Sequence, residues 1–572
     1  MDRKEIAQIL TEIGTMLELL GESPFKSRAY YNGARSVELL TEDIEELVRQ
    51  DKLKEVKGIG KALDEKIKEL VNTGHLEYYK RIKEKIPPGL FDLLKVPGLG
   101  PKKVRALYEE LGITTLGELE YSCIENRLLE LPGFGEKTQK KALEGIQYLK
   151  RNRGRYLYPE ALHKARALEE GLRERGIVSR ISIAGSLRRK NETVKDIDIL
   201  ASGDDADGIM DAFASLPWIE RVIERGSSKL GALLDSGIRV DLRVVNDHQF
   251  PFALHHFTGS KEHNTAMRHR AKGLGLKINE YGIFSDQAQG SMQCTDEAEF
   301  FERLGLGYIP PELRENTGEI EAAEQGTLPR LVEYKDIRGI FHIHTRYSDG
   351  TSSIEDMAKR AMEMGMQYIG ISDHSRSAYY AGGLKAEDIL RQREEINRLN
   401  ELYSDFRIFA GIESDILTDG SLDYPDEILV SFDFVIASVH SAFTMDRDTM
   451  TKRLVRALQN PHVTMLGHPT GRLILAREGY PVDLERVIEA AAGLGKVIEL
   501  NANPYRLDLD WRWCRRAKEM GVKISISPDA HSPEGLEDMV YGVDTARKGW
   551  LEEGDVFNCM PLEQMEKLLK KA

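Results

Sequence analysis

Six histidines and three carboxylates of the kinds that bind metal ions lie in the C-terminal part of this 572-residue chain. They are His342, His344, Asp349, His374, Glu413, His440, His468, Asp529 and His531. Six short apolar runs end on such a side chain, and two further ligand-type residues follow just beyond two of those runs. Because mixed nitrogen and oxygen ligands suit zinc, manganese or iron, the set predicts a site for several metal ions.

Helix-length polar stretches separate the apolar runs, which is typical of parallel strands joined by crossover helices. A seventh run, residues 496–501, supplies one more strand but ends without an obvious ligand. In a closed α/β barrel the carboxyl ends of all strands converge on one mouth. The spacing therefore predicts an α/β barrel with a multi-metal site at its mouth.

A second group of carboxylates comprises Asp196, Asp198 and Asp241. The first two alternate with isoleucines in a strand-like run, so both carboxylates lie on one face of a sheet. Three carboxylates on one face repel each other unless cations lie between them. Two Mg²⁺ ions there would serve an attacking and a leaving oxygen. With the Gly185-Ser186 turn and two arginines upstream, this group predicts nucleotidyl transfer.

Three turns of the same hydrophobic-x-Gly-hydrophobic-Gly form recur in the first 150 residues, and lysines follow each turn. Their glycines are Gly58, Gly60, Gly98, Gly100, Gly133 and Gly135. Glycine permits the positive φ of a tight turn, and the next helix offers free N–H groups to a phosphate. This helix-hairpin-helix pattern binds a DNA backbone without reading bases. The third turn is less basic, so a purely structural role stays open for it.

Composition limits the class of protein. The net charge of −14 argues at first against nucleic acid, but most of the excess acid falls in residues 331–572, and basic stretches remain at 51–110 and 151–190. Four widely spaced cysteines fit neither a disulfide framework nor a CxxC site, as expected in a reducing compartment. No signal peptide and no membrane-length apolar run is present. We expect a soluble, cytoplasmic, monomeric protein of several domains with no membrane partner.

Residues 1–318 resemble the family X DNA polymerases, the group of DNA polymerase beta. The palm of that family is matched by Gly185, Ser186, Arg189, Asp196, Asp198 and Asp241, and its thumb by residues 256–260, His263, Asn264, Met267, Arg268 and residues 277–282. The resemblance implies that dNTPs are substrates and that two Mg²⁺ or Mn²⁺ ions bind the three aspartates. It also implies that Ser186 and Arg189 hold the triphosphate.

The resemblance assigns further roles in the thumb. Asn264 would contact the base edge or sugar, Arg268 would reach the template minor groove, and Phe257 and Gly259 would bend the backbone against the sugar. Eukaryotic members have Tyr before that Phe, whereas this chain has His256. The departure puts discrimination against ribose in doubt.

The first domain has two further family positions. Lys26 and Tyr30 match the pocket that takes the 5′-phosphate of gapped DNA. Lys66 matches the lysine that forms a Schiff base with the sugar of an abasic site, as a 5′-deoxyribose phosphate lyase. A nucleophilic lysine needs a lowered pKa, and the acidic neighbours Glu65 and Glu69 argue for an ordinary solvated lysine. Both interpretations stay open.

Residues 336–572 resemble the PHP (polymerase and histidinol phosphatase) domain, on the nine ligand positions given above. That resemblance implies a distorted seven-stranded barrel with three divalent metals (Mn²⁺, Zn²⁺ or Fe) that hydrolyses phosphoester bonds. Every expected ligand position is filled.

Together the patterns predict a multidomain fold with α-helical helix-hairpin-helix domains, an α+β nucleotidyltransferase palm and thumb, and a C-terminal α/β barrel. The predicted boundaries are 1–87, 88–150, 151–245 for the palm, 246–318 for the thumb, 319–335 for an exposed acidic linker and 336–572. The predicted function is gap-filling DNA polymerisation in base excision repair. The PHP site would add a 3′–5′ exonuclease, abasic-site endonuclease or 3′-phosphatase activity.

Two alternatives remain at this point. The chain could be a metabolic phosphatase of the histidinol-phosphate type fused to a DNA-binding module, which leaves the three palm aspartates idle. It could also be a gap-binding scaffold with a structural metal centre. Structural sites seldom need so many ligands, and primer extension or shortening separates the three.

Overall fold

The structure, a computed structural model, describes residues 3–40, 44–56, 58–124, 127–152, 154–285, 291–475 and 477–570. The chain divides into two compact units, Met1–Arg153 and Gly154–Ala572. Within the described residues, no helix combines the length and the apolar character that a membrane span requires. The four cysteines are free and buried.

The first unit is helical. Its helices are α1 Arg3–Leu19, α2 Pro24–Glu38, α3 Ile44–Arg49, α4 Lys61–Thr73, α5 Glu77–Lys83, α6 Gly89–Leu93, α7 Pro101–Leu111, α8 Leu116–Ile124 and α9 Glu136–Asn152, with 3₁₀ turns at Leu53–Glu55 and Arg127–Glu130. Their apolar faces form one continuous core in which Ile6, Leu10 and Ile67 are fully buried. Amphipathic helices of this length depend on such shared burial, since short helices are marginal alone.

The three predicted hairpins have the same backbone geometry. Gly58, Gly98 and Gly133 all have positive φ, at 95°, 84° and 83°, and each turn closes with an N–H···O bond across three residues (Ile59 to Val56, Leu99 to Val96, Phe134 to Leu131). The second glycine of each pair accepts the first hydrogen bonds of α4, α7 or α9. Lys57 of the first turn lies outside the described residues. The repeat predicted from sequence is therefore present three times.

The second unit begins with an α+β layer around a five-stranded sheet of order β2-β4-β7-β6-β5. Its elements are β1 Tyr156–Leu157, α10 Tyr158–Arg173, β2 Arg180–Ile183, α11 Gly185–Arg188, β3 Thr193–Val194, β4 Asp196–Ser202, α12 Ala206–Ala214, β5 Ile219–Arg225, β6 Lys229–Leu234 and β7 Arg239–Val245. Strand β7 alternates strictly between buried and half-buried residues, which leaves one face for the core and one for polar groups.

A small subdomain follows. It contains α13 Phe250–Thr258, α14 Lys261–Gly273, the antiparallel strands β8 Leu276–Asn279, β9 Gly282–Ser285 and β10 Ser291–Met292, then α15 Glu297–Arg303 and α16 Glu319–Gln325, with 3₁₀ turns at Asp247–Gln249 and Pro311–Leu313. Phe252, Phe300 and Phe301 form its core.

The rest of the chain is built on a parallel sheet of seven strands, which lie side by side in the order in which they occur in the chain. Its elements are β11 Gly339–Ile343, α17 Ile354–Glu363, β12 Tyr368–Ile371, α18 Ala386–Leu402, β13 Arg407–Asp415, α19 Asp426–Leu429, β14 Phe434–Ser438, α20 Arg447–Leu458, β15 Met465–Leu466, α21 Leu484–Leu494, β16 Val497–Asn501, α22 Trp511–Glu519, β17 Ile524–Ser527, α23 Met539–Lys548 and α24 Leu562–Leu569. The 3₁₀ turns are Tyr334–Asp336, Tyr379–Ala381, Glu534–Asp538, Glu553–Asp555 and Phe557–Cys559.

The seven strands curl into a nearly closed barrel. Ala530, just after β17, donates to the carbonyl of His342 at 3.1 Å and accepts from the amide of His344 at 2.8 Å. These bonds join the last strand segment to β11. The barrel predicted from the apolar runs is thereby confirmed, including the strand that ends at Asn501.

The acidic stretch before the barrel is only partly the exposed tether that its composition predicts, since Glu321 and Glu324 are exposed but other carboxylates are not. Glu312 is 3 % exposed and Glu319 is fully buried. Glu312 pairs with Arg547 at 2.5 Å, and Glu319 lies 2.6 Å from Nδ1 of His263 inside helix α14. For Glu312 and Glu319 the expectation of exposure was wrong because these two carboxylates have partners in the flanking elements, which sequence composition does not reveal.

A buried ion triad holds the subdomain to the sheet. The Glu297 carboxylate pairs with Arg314 at 2.5 Å and with Arg188 at 2.6 Å, and the Arg314 side chain is fully buried. Burial opposes ionisation of Glu297, but the two arginines win and lower its pKa to about 2.

We therefore expect Glu297→Gln to lower the free energy of unfolding of the second unit by about 3 kcal/mol, because it leaves two arginines without their counter-charge. The Glu297 contribution is present above its ordinary pKa of 4.5 and is lost as the pH falls through about 2. Urea unfolding at pH 7 is followed by tryptophan fluorescence, since all four tryptophans lie in residues 154–572.

The matched control is Glu355→Gln. Its pair with Lys359 is exposed, so the loss should stay below about 1 kcal/mol. Equal losses for the two variants would show that the triad contributes nothing beyond a surface pair.

Candidate active sites

The palm carboxylates meet on two neighbouring strands. Strands β4 and β7 pair in parallel, with Asp198 directly opposite Asp241, and Asp196 lies two residues earlier on β4. A Cβ atom on Gly185 would overlap the carboxylate of Asp198. One on Gly231, opposite Asp241, would lie 2.9 Å from its Oδ1. Glycines at both positions leave room for the carboxylates.

The electrostatics of this group favour bound cations. Burial, followed by the charges of Asp196 and Asp241, raises the pKa of Asp198 to about 7. Arg239 donates to Asp241 at 3.0 Å, which compensates only one of the three carboxylates. Carboxylate oxygens are the ligands that Mg²⁺ prefers. The three aspartates therefore fit a site for divalent metal ions.

The turn after β2 carries the predicted triphosphate residues. Gly185 has a φ of 63° and starts α11, which also contains Ser186. The Arg189 side chain donates to the Thr258 carbonyl at 2.8 Å and pairs with Glu315 at 3.0 Å. This palm side chain is thus held by two residues of the thumb region.

The predicted thumb residues lie together. His256, Asn264 and Arg268 line one narrow cleft with Asn279, and the Asn264 amide donates to the His256 carbonyl at 2.7 Å. Gly259 admits Asn264, because a Cβ there would meet the Asn264 side-chain oxygen.

Phe257 has packing contacts of its own. It packs on a small core that includes Leu200 and Phe250, and the guanidinium of Arg243 lies 5.2 Å from its ring centroid. Arg243, which faces the palm carboxylates and lowers the pKa of Asp198, is a cation that the sequence motifs did not single out.

In the first unit, a predicted DNA-binding residue and the predicted lyase lysine meet at one tyrosine. The buried ring of Tyr30 stacks on Tyr78 with centroids 6.2 Å apart, and the Lys66 ammonium lies 4.7 Å from the Tyr78 centroid. Burial raises the pKa of Tyr30. Lys26 is exposed and pairs with Glu22 at 3.4 Å.

The hairpin backbones are accessible. Of the atoms in the part of the chain that the structure describes, none lies within 4 Å of a Cβ position built on Gly60, Gly98 or Gly100, whereas Gly58 faces Ser36. A DNA phosphate can therefore approach the turns closely, as phosphate contacts by backbone N–H groups require.

The nine residues predicted as metal ligands converge at the barrel mouth. Eight of them form three overlapping groups in which the ligand atoms lie within 4.8 Å of one another: His344, Asp349, His374 and His531; His342, His344 and Asp529; His374, Glu413 and His440. The ninth, His468, places Nε2 3.1 Å from Oε1 of Glu413.

Three ring nitrogens at the barrel mouth lack the hydrogen bonds that buried nitrogens normally have. Nε2 of His342 and both ring nitrogens of His344 are buried without a well-formed hydrogen bond, although carboxylate oxygens approach to 3.2 Å. Burial and the neighbouring His531 and His374 lower the pKa of His344 to about 3, so its ring is neutral, as metal binding requires. Buried nitrogens of this kind normally have a partner, and a cation among them would supply one.

The sequence patterns did not predict several residues that support the candidate metal ligands. Glu499 is fully buried and lies 2.5 Å from Nδ1 of His342, and Asp415 lies 2.5 Å from Nδ1 of His440. The Asn501 amide donates to Asp529 at 3.1 Å. Carboxylates behind metal-binding histidines fix their tautomer and orientation. Glu499 lies two residues before the end of the seventh apolar run, so a charge inside a buried strand was the available signal.

A cation also lies beside the centre. Nε of Arg506 is 3.5 Å from Oδ2 of Asp529, with a side chain 21 % exposed. A guanidinium next to metal-binding carboxylates can hold a substrate phosphate. No sequence motif indicated this residue.

The backbone is strained at three of the nine positions. His342, His468 and Asp529 have φ values of 61°, 21° and 54°. Non-glycine residues in this region cost about 1 kcal/mol or more each and cluster at functional sites. The barrel holds these conformations through the paired strands on either side.

Comparison with known families matches this architecture. A helix-hairpin-helix domain matches residues 1–76, a SAM-like helix-hairpin-helix tandem matches 90–147, the DNA polymerase beta thumb matches 253–315, and the PHP domain matches 341–503. Helix-hairpin-helix and thumb modules bind DNA, and polymerase palms and PHP domains use divalent metal ions.

Two curated relatives differ in how much of the chain they match. The DNA polymerase/3′-5′ exonuclease PolX of Bacillus subtilis is 40% identical over 573 residues and covers 100% of both chains. A probable phosphatase of Caldanaerobacter subterraneus is 34% identical over 207 residues, which are 33% of this chain and 74% of the relative. Among solved structures, polymerase beta of Leishmania infantum in a ternary complex is 24% identical and covers 40% of this chain and 98% of its own, with a TM-score of 0.27.

A palm with three carboxylates, a polymerase beta thumb and a metal-binding barrel define a DNA polymerase joined to a phosphoesterase domain. This chain belongs to the bacterial family X DNA polymerases with a C-terminal PHP domain.

We expect Glu499→Gln to weaken metal binding at the barrel mouth by about 10- to 100-fold, because His342 loses the carboxylate that orients it. Elemental analysis after dialysis against graded chelator concentrations measures the retained metal.

The matched control is Glu489→Gln on the exposed face of α21, which should retain metal as the unchanged protein does. Equal retention by the two variants would contradict the supporting role of Glu499.

Proposed function

We propose that this protein fills short gaps in DNA during base excision repair and shortens or cleans 3′ ends at its PHP site. The observation that carries the proposal is that two complete ligand sets occur in one compact unit, the three palm aspartates and the nine residues at the barrel mouth. The full-length similarity to a polymerase/exonuclease supports the pairing of the two activities.

In the polymerase site, Asp196, Asp198 and Asp241 would hold two Mg²⁺ or Mn²⁺ ions, which neutralise charge on the reacting phosphates when bound. Ser186 and Arg189 would bind the triphosphate of a dNTP. Arg239 fixes the orientation of Asp241, which is the carboxylate that we assign to the primer 3′-hydroxyl.

The thumb would complete the nucleotide site. Asn264, held by its bond to the His256 carbonyl, would contact the sugar side of the dNTP, and the exposed Arg268 would reach the template. Phe257 and Gly259 would lie against the sugar. His256, in place of an aromatic tyrosine, leaves the selection against ribose to be measured.

In the PHP site, the nine mouth residues would hold three divalent metals (Mn²⁺, Zn²⁺ or Fe), which supply Lewis acidity for phosphoester hydrolysis at neutral pH. The supporting carboxylates Glu499 and Asp415 hold the histidine rings of His342 and His440. Arg506 would hold the scissile phosphate. The products would be released nucleotides, a cleaved abasic site or phosphate.

The first unit would select the DNA. The glycine turns at Gly58, Gly60, Gly98 and Gly100 would hold backbone phosphates, and Lys26 and Tyr30 would take the 5′-phosphate of a gap. Contacts of this kind make binding salt-dependent, with a log–log slope of about 0.9 per neutralised phosphate. We propose that the protein acts as a monomer in the cytoplasm.

One observation favours a second function for the barrel alone. Two relatives that match 33% of this chain are probable phosphatases, and we infer that they match the barrel, so release of phosphate from small esters is the alternative activity of the PHP site. A labelled gapped primer with and without dNTPs distinguishes extension, shortening and neither.

We expect Asp198→Asn to reduce primer extension by at least about 1,000-fold while 3′ shortening stays within about twofold, because the carboxylate is needed only in the palm. His440→Asn should give the opposite pattern. The same labelled gapped substrate reports both activities. If one substitution abolished both activities while the protein stayed folded, the two-site proposal would fail.

The lyase is expected to be absent. The Lys66 Nζ already has partners within the first unit, since it lies 4.7 Å from the Tyr78 ring centroid and donates to the Ala62 carbonyl at 3.1 Å, whereas a nucleophilic amine must be free to attack the sugar aldehyde. Borohydride should trap no adduct with incised abasic DNA, whereas Lys66→Ala should weaken binding to 5′-phosphorylated gaps about fivefold through loss of one phosphate contact.

The control for this experiment is Lys80→Ala, on the exposed face of α5. A trapped adduct that disappears in Lys66→Ala but persists in Lys80→Ala would establish Lys66 as the lyase nucleophile and overturn this expectation.

A further inference from the structure

The side chain of one barrel lysine contacts the polymerase part of the second unit. Lys548 ends helix α23, and its side chain is 1 % exposed. Its ammonium donates to the backbone carbonyl of Arg189 at 3.0 Å and to Oε1 of Glu315 at 2.6 Å. The same Glu315 oxygen lies 3.0 Å from Nε of Arg189. One carboxylate oxygen is thus shared by a barrel lysine and a palm arginine.

The shared carboxylate is ionised. Burial opposes the charge of Glu315, but Lys548 and Arg189 together lower its pKa. Burial in turn lowers the pKa of Lys548, and Glu315 acts in the opposite direction. In a buried environment Lys548 weakens the ion pair between Glu315 and Arg189, and Arg189 weakens the pair between Glu315 and Lys548. The reason is that the two cations share one negative charge.

The contact belongs to a larger set between the same two parts. Asp544, one turn earlier on α23, lies 2.5 Å from Nζ of Lys190 and accepts from the Tyr158 hydroxyl at 2.8 Å. Arg472 of the barrel pairs with Glu192 at 3.0 Å. Three barrel side chains therefore contact the backbone or side chains of residues 189, 190 and 192, which follow α11.

We propose that Lys548 is a positioning residue for the polymerase reaction, through which the barrel sets Arg189 for the triphosphate of the incoming nucleotide. The inference rests on the proposed function of Arg189. The hydrogen bond from Lys548 to the Arg189 carbonyl fixes the backbone that follows α11. The bond from Lys548 to Glu315 weakens the ion pair between Glu315 and Arg189, which would otherwise keep the Arg189 guanidinium away from the triphosphate. The barrel is then part of the nucleotide site as well as a separate hydrolase.

The test is single-nucleotide gap filling by the full chain with Lys548→Met, which keeps the length of the side chain and removes its charge. We expect the KM for the dNTP to rise about tenfold with kcat within about twofold, because binding of the triphosphate is affected more than the chemical step. Shortening of a labelled 3′ end by the same preparation should stay within about twofold. Lys452→Met, which removes an exposed barrel lysine that pairs with Asp448 on its own helix, is the matched control and should change neither activity.

A double variant separates positioning from folding. In Lys548→Met with Glu315→Gln, no carboxylate remains to hold Arg189 back, so the KM should return to within about threefold of the unchanged protein. Asp544→Asn, at a side chain 14 % exposed, is a milder variant that should raise the KM about threefold by releasing Lys190.

An unchanged KM in both Lys548→Met and Asp544→Asn would overturn the proposal, as would a parallel loss of both activities together with a lower melting temperature. Failure of the unchanged protein to extend a primer would instead refute the proposed function.

Discussion

The backbone hydrogen bonds that close the barrel also bring its candidate metal ligands together. The two backbone hydrogen bonds of Ala530 join the last strand segment to the first, and they run to His342 and His344. Ala530 lies between Asp529 and His531. If the two ends of the sheet separated, two pairs of adjacent ligands would move apart together. The strained φ values of His342 and Asp529 occur at this seam, where paired backbone on both sides can hold them.

In the palm, too, strand pairing brings the candidate metal ligands together. Parallel pairing of β4 with β7 places Asp198 opposite Asp241, and burial together with the repulsion from Asp196 and Asp241 raises the pKa of Asp198 to about 7. The sheet holds carboxylates in positions that they would leave if free. Bound cations relieve that repulsion, so the geometry is stabilised by the same ions that the chemistry uses.

Much of this arrangement could be predicted from the sequence because it follows from periodicity. Apolar runs ending in His374, Glu413 or His468 predict strands, and parallel strands bring their carboxyl ends to one mouth. Alternation predicts that Asp196 and Asp198 share a face. Glycine pairs predict the hairpins because few other residues adopt positive φ. Each of these inferences needs only local pattern and a known topology.

What the sequence did not reveal depends on contacts between distant residues. Glu499 looks like a misplaced charge in an apolar run until His342 is found 2.5 Å away. The acidic residues 312–319 have the composition of a solvated tether, yet Arg547 and His263 pair with them. Lys548 has no motif at all. A charge pattern shows how many charges a segment has, whereas burial depends on partners hundreds of residues away.

The same distinction resolves the conflict between a net charge of −14 and DNA binding. Many of the acidic groups are not free surface charge. Glu297 and Glu319 are buried and Glu315 is half-buried beside arginine, lysine or histidine, and the carboxylates of the palm and barrel mouth fit divalent cations. Because divalent ions add two positive charges each, the sites that act on phosphate become less negative when filled. The formal charge therefore overstates the repulsion that DNA meets, and the hairpin turns of the first unit offer backbone N–H groups to phosphates.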